Sequence, residues 1–355
     1  MMEAVAELQA QRIEVEASPE EVYAFALERG WTDGLPVMPP TEEQVRAMVA
    51  AAGRPPGAVV GAIPPRWAPA TVEKVAINAV MAGCLPAYMP VILAAIEAMV
   101  DPVFNLYGVQ ATTNPVAPLV LVNGPVAHRL EINAGYNALG QGWRANATIG
   151  RALRLVLLNV GGGTPGEMDR ATHGQPGKYT FCFAENEAES PWEPLHVERG
   201  FPRETSVVTV VGAAGTQNMI DQGSLSGEGL LRTFISTMAV VGTNNVYFGG
   251  DPMLVISPEH ARTLAADGFT KAAIRQALFE RARVPLAAFS RDNVEHVLRK
   301  RRPHLFARGE PESVPIADQP GDFLIVVAGG AGKHSTFIAT FGVNRSVTRP
   351  VREAA

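Results

Sequence analysis

Residues 75–100 read VAINAVMAGCLPAYMPVILAAIEAMV, and the reading of this stretch decides what kind of protein the chain is. Its only charge is Glu97, and it holds Cys84, one of only two cysteines. About 20 apolar residues suffice to cross a bilayer. Pro86 and Pro90, however, lie in the middle, where each removes a backbone donor and displaces the preceding residue from helical geometry. No cluster of Lys or Arg flanks the stretch to anchor it at an interface. The pattern predicts helix, break, helix, buried inside a protein without a membrane partner.

Around this stretch the chain alternates between helical and strand signals. Ser18-Pro19-Glu20-Glu21 opens a helix that stops at Gly30, and Thr41 caps a second one ended by Gly53. PLVLVNGP (118–125), TSVVTVVGA (205–213), PMLVISP (252–258) and DFLIVVAGGAGKHS (322–335) contain continuous apolar runs bounded by turn residues, as expected of strands buried on both faces. Helical patterns cover 147–162, 227–242, 258–268 and 269–285. Residues 161–200 read as a long loop, although Cys182 sits in an alternating, strand-like YTFCFAEN. The expected fold is α/β, with mostly parallel sheet flanked by helices and an N-terminal helical segment. The expected division is an N-terminal part, 1–115, and an α/β part, 116–355, with a sub-domain boundary near 203.

The apolar fraction of 47% with 18% charged residues is that of a folded globular chain, and the net charge of −5 favours neither nucleic acid nor anionic membranes as partner. The N-terminus has no basic start followed by an apolar core, so a cytoplasmic location with reduced thiols is expected, as is an oligomer. There is no Walker A pattern, because Val327 stands where its first glycine belongs and His334 follows Lys333. Nor is there a Gly-x-Gly-x-x-Gly opening a βαβ unit or a Gly-x-Ser-x-Gly elbow, so no motif assigns a cofactor.

Several residues are candidates for chemistry. Gly329, Gly330, Lys333 and His334 form a glycine loop after a strand, suited to an anion or to a tight turn. Arg144 and Asn146 open a helix behind a run rich in Asn and Gly, a second seat for a carboxylate or phosphate unless the asparagines serve only as caps. Lys178 is either a fixed cation facing a site or a solvated turn residue. Cys84 is a nucleophile if the amides of the following helix stabilise its thiolate, and an inert core residue if it ends the preceding helix. Glu73 and Glu185 are acid/base candidates, with His196 and His334 beside them. Asp169, His173, Glu185 and His196 lack the paired spacing of a strong metal site, which leaves a metal-assisted lyase or hydrolase as a third reading.

Gly30–Pro36, Pro39–Thr41, Glu73–Cys84, Arg144–Arg151, Pro176–Lys178, Ser190–His196, Pro258–Ala261 and Gly329–Lys333 together resemble a bacterial family associated with UGSC-type (seleno)proteins, small partners bearing (selenocysteine or cysteine)-Gly-Ser-Cys. A more distant link runs to glycine-reductase selenoproteins. The resemblance implies a redox or thiol-dependent enzyme working with such a partner, although this chain lacks the Gly-Ser-Cys motif itself. The expectation is therefore a thiol-dependent enzyme, of redox or lyase type, acting on a small anionic or carbonyl-bearing metabolite. The alternative is a binding or scaffold subunit for the small UGSC-type partner.

Overall fold

The 75–100 stretch folds as two helices broken where its glycine and prolines require. The computed structural model describes residues 7–16 and 18–352. Helices α1 (Pro19–Glu28) and α2 (Glu42–Ala51) start at Ser18 and Thr41, whose hydroxyls accept from the amides of Glu21 and Gln44. A hairpin, β1 (Val59–Ile63) and β2 (Ala68–Thr71), leads into α3 (Val72–Ala82). Gly83 ends α3 in the left-handed region at φ 88°, which a side chain rarely adopts. A short 3-10 turn at Pro86–Tyr88 then feeds α4 (Met89–Met99), so both prolines sit where a missing amide costs least. All of α4 except Glu97 is buried in the protein core. Among the described residues no single helix is long and apolar enough to cross a membrane.

The next elements are α5 (Leu106–Gln110), β3 (Ala117–Asn123), α6 (Pro125–Arg129), α7 (Arg144–Asn159), β4 (Cys182–Ala184), α8 (Leu195–Glu198) and β5 (Val207–Ile220). Then come α9 (Gly227–Met238), α10 (Asn244–Phe248), β6 (Met253–Ile256), α11 (Pro258–Ala266) and α12 (Lys271–Arg281). The small ladder β7 (Arg283–Pro285) with β8 (Ser313–Pro315) precedes β9 (Leu324–Val327), β10 (His334–Thr340) and β11 (Val347–Pro350).

The fold is mixed α/β, but the main sheet is not mostly parallel. Its order is β4-β3-β5-β10-β6-β9, with β11 also on β5. Only β3 with β4 and β6 with β9 run parallel, while β5 pairs antiparallel with β3, β10 and β11, and β10 with β6. The expectation failed for a physical reason. Continuous apolar strands report burial on both faces, and here a curl in the sheet supplies it. Val120 and Val122 of β3 face the helices of the N-terminal half, and Leu254 and Ile256 of β6 face those of the C-terminal half. Their alternate neighbours Leu119, Leu121, Met253 and Val255 meet in a third core with Phe183, Val326 and Ile338. The curl brings the edge strands β4 and β9 together at their C-terminal ends, where the Asn186 amide donates to the Val327 carbonyl at 2.7 Å.

The glycine loop follows a strand and connects β9 to β10, crossing β6 on the way. The sequence-based strand at 205–213 is the first half of a 14-residue strand that serves both halves of the sheet.

Candidate functional site

Helix α7 lies against the sheet at close range because Gly150 has no side chain. A Cβ there would sit 2.4 Å from Thr180 Oγ1 and 2.5 Å from the Phe181 amide nitrogen. Its apolar stripe, including Ile149, Leu153 and Val156, is buried, which leaves Arg151 and Arg154 on the half-buried polar side. Two loops from distant parts of the chain close over these arginines.

The first loop carries Asp33. Arg151 holds it with two parallel bonds, Nε to Oδ2 and Nη2 to Oδ1, both 2.8 Å, and Nη2 also donates to the carbonyls of Leu35 and Pro36. Burial pushes the Asp33 carboxyl up, but the Arg151 guanidinium outweighs burial and holds it below the usual carboxylate value. The second loop carries Asp169 and Lys178, joined at 2.6 Å between Nζ and Oδ2 and 2.8 Å between Nζ and Oδ1. Burial lowers the Lys178 pKa, Asp169 opposes that, and the nearby Arg154 charge adds to the lowering.

Arg154 is different from its neighbours. Its Nε donates to the Lys178 carbonyl at 2.7 Å, and its terminal amino groups have no partner among the described residues. No carboxylate there lies within salt-bridge distance of it, because Asp33 is taken by Arg151 and Asp169 by Lys178. Burial lowers its pKa, and the charges of Asp169 and Asp33 only partly offset this. The recess thus holds three cations against two carboxylates. A guanidinium fork left open in a half-buried, positively biased recess is suited to a bidentate oxyanion.

Apart from Lys178, the residues singled out from sequence fall in four other places. Cys84 follows the C-terminal cap of α3, so it meets carbonyl rather than amide dipoles. Its thiol donates to the Thr148 carbonyl at 3.2 Å, and burial pushes its pKa up to about 12 against the pull of Thr148, Arg144 and Arg151. The arrangement that would activate it as a nucleophile is therefore not the one formed. Arg144 lies close by but spends its Nε on the Gly83 carbonyl. Glu73 is at the opposite end of α3, about 16 Å away along a helix of this length. There it accepts from the amides of Gln9 and Ala10 and is separated from Cys84.

Glu185 and His196 do come together, at the C-terminal ends of β3 and β4. Glu185 accepts from Asn123 Nδ2 at 2.7 Å and the Leu195 amide at 2.9 Å, and faces Lys271 Nζ at 3.5 Å. Burial pushes its carboxyl pKa up, with Lys271 opposing. His196 is fully buried, with Nε2 at 3.2 Å from the Arg203 carbonyl and Nδ1 at 3.8 Å from Glu187. Lys271 also reaches Glu198 and the Glu193 carbonyl, which ties α12 to the 185–198 segment, while Glu185 Oε1, His196 Nδ1 and Asn123 Oδ1 stay buried without a hydrogen-bond partner among the described residues.

Asn146 is a buried clip, accepting from the Asn133 amide and donating to the carbonyls of Asn133 and Ala138. The segment it holds meets the glycine loop: the Gly329 amide donates to Ala134, and a Cβ on Gly330 would strike the Tyr136 ring at 2.1 Å. Lys333 donates to the Gln222 carbonyl, and His334 pairs with Asn218, both on the β5 side. Asp169 is likewise parted from His196, since its partner is Lys178. Among the described residues no three His, Cys, Asp or Glu side chains are arranged to hold a metal ion.

Of the recess residues, sequence reasoning named Lys178 as a site residue but not Asp33, Arg151 or Arg154. The available signal was the i, i+3 spacing of Arg151 and Arg154 on the polar side of an otherwise apolar helix. Compared with known proteins, the chain matches no family model and no curated protein sequence.

Proposed function

We propose that this protein is a lyase-type enzyme for a small keto acid. Arg154 would grip the substrate carboxylate, and the amine of Lys178 would attack its carbonyl. The carrying observation is the open, half-buried guanidinium of Arg154 beside a lysine whose basicity is lowered by burial. The reading keeps the small anionic, carbonyl-bearing metabolite expected from sequence but moves the nucleophile from Cys84 to Lys178.

The chemistry needs only groups in the recess. Asp169 takes a proton from the Lys178 ammonium, freeing the nitrogen lone pair. The lone pair bonds to the carbonyl carbon while the carbonyl oxygen takes the proton held by Asp169. The proton then shed by the new C–N nitrogen passes to Asp169 and from it to the hydroxyl, which leaves as water, giving a protonated imine with Asp169 ionised again. A protonated imine withdraws electrons from the adjacent bond, which is how amine-dependent lyases cleave it. A nearby cation favours such a lysine by disfavouring its charged form. Three of the segments that carry the family resemblance, 30–36, 144–151 and 176–178, contribute Asp33, Arg151 and Lys178 to this one recess.

Borohydride trapping tests the proposal. Incubation with pyruvate and borohydride is expected to leave a reduced adduct on the Lys178 peptide, readable by mass spectrometry. Lys178→Arg is expected to abolish it, and Arg154→Met to reduce it strongly. Absence of an adduct at Lys178 under saturating pyruvate would sink the proposal.

A further inference from the structure

Strand β5 is covered along one edge by β11 and β10, but along the other only to Ala213, where pairing with β3 ends at Ala117. From Ala214 to Ile220 no strand among the described residues pairs with that second edge. The chain that could have continued the ladder turns away at Asn114-Pro115. An open groove of about 710 Å³ lies over the sheet face at the free edge, lined by Ala214–Gln217 of β5, Phe337 and Ala339 of β10 and the Val240–Asn244 loop.

Natural strand edges are guarded by charge, proline or a covering element. Residues 214–220, AGTQNMI, contain neither charge nor proline. No charged residue lines the groove either. Val240 in its lining is 48% exposed, and Ile220 at the end of the free edge is 54% exposed.

We infer that this edge pairs with the same edge of a second copy of the chain, antiparallel about a two-fold axis through Gln217. An antiparallel edge is self-complementary, as a two-fold contact requires. A neutral surface meets its own copy without like-charge repulsion. The register follows from size. With Gln217 on the axis all seven free residues find partners, and Ile220 and Met219 fall opposite Ala214 and Gly215 of the other copy. The exposed Ile220 thus meets small Ala214, while Met219 keeps its side chain in its own core and Gly215 opposite it leaves open space. Asn218 falls opposite Thr216, and the two main sheets join into one.

Sedimentation equilibrium of the full chain and of two charge variants tests this. Gln217 is exposed, and Gln217→Lys or Gln217→Glu would place like charges face to face on the axis. The wild type is expected to be a dimer, and each variant alone to dimerise about tenfold or more weakly. An equimolar mixture of the two variants is expected to restore dimerisation. The alternate amides of 214–220 that point away from β10 should exchange slowly in the dimer and fast in either variant. A wild type that stays monomeric overturns the proposal, and leaves the edge to a strand from a different protein. A dimer indifferent to both charges, or a mixture no tighter than its components, overturns it as well.

Discussion

Replacing Arg154 by methionine separates a ligand-binding guanidinium from a structural one. Met fills much of the space of the arginine stem and makes no demand for a counter-charge. The substitution removes the bond from Nε to the Lys178 carbonyl, worth about 1.5–3 kcal/mol when the donor is charged. It also removes the cost of holding a half-buried cation whose terminal amino groups have no partner among the described residues, an effect of several kcal/mol for a fully buried ion and less here. The two oppose each other, so the ligand-free variant should be as stable as the wild type or more stable by about 1 kcal/mol. Binding changes in the other direction. Loss of a bidentate charge-assisted contact costs about 3 kcal/mol, or about a hundredfold in affinity for a carboxylate. At a ligand concentration of about 100 Kd the wild type gains about 2.7 kcal/mol, whereas the variant, then near its own Kd, gains about 0.4 kcal/mol. Urea unfolding with and without pyruvate should therefore reverse the stability order of the two proteins, with the slope unchanged. A variant that is about 3 kcal/mol less stable without ligand, and gains as much from ligand as the wild type, would show that Arg154 only props up the 178 loop.

Other consequences can be checked independently. With a pKa near 12, about one Cys84 thiol in 10⁵ is ionised at pH 7, so iodoacetamide should label Cys84 only on unfolding and Cys84→Ser should retain activity. Lys178 titrates below the ordinary lysine value, so the unfolded chain holds its proton to higher pH than the folded one. Its contribution to stability should rise with pH between the lowered folded value and about 10.4, and the trapping rate at Lys178 should rise with pH through that lowered value. Glu185 has the opposite sign: its raised folded pKa means the folded state holds the proton longer. Stability should fall as pH climbs from about 4.3 toward that value, and Glu185→Gln should flatten the fall. Glu185→Gln should cost less than about 1 kcal/mol, whereas Glu185→Ala, which strands the Leu195 amide and leaves Asn123 Nδ2 only its bond to Glu187, should cost about 1–3 kcal/mol in denaturant titrations.

The features legible in the sequence are those whose cause is local. Ser18, Thr41 and Gly83 act on their own helix ends, and Pro86 and Pro90 can be tolerated only near a helix start, so the broken pair at 72–99 follows from chain chemistry alone. The recess was only partly legible because its logic is one of pairing. Nothing in the order of residues says that Asp33 is spent on Arg151, 118 positions away, or that Asp169 is spent on Lys178 and so leaves Arg154 without a partner. Cys84 shows the same limit from the other side. Its proximity to Pro86 is equally compatible with ending one helix or starting the next, and the left-handed Gly83 settles which.

The direction of the strands was the least legible feature, and the topology shows why. Strands β3, β4 and β5 form one motif: a strand, a helical crossover to a parallel neighbour, and an antiparallel return on the opposite side of the first strand. Strands β6, β9 and β10 repeat that motif, with α11 and α12 in the crossover. The returning strands β5 and β10 then pair antiparallel with each other across 213–220. Each motif alone would leave one sheet face bare, and folding the two face to face buries both. That is why antiparallel and parallel strands alike carry unbroken apolar runs, and why the runs reveal burial but not direction. The two crossovers differ in length and content, from a 58-residue connection between β3 and β4 to one of 67 residues between β6 and β9, so the repeat has no fixed period to betray it. The duplication also explains the free edge at 214–220. The long strand β5 must reach across to serve the second motif, and β3, confined to the first, ends before it does.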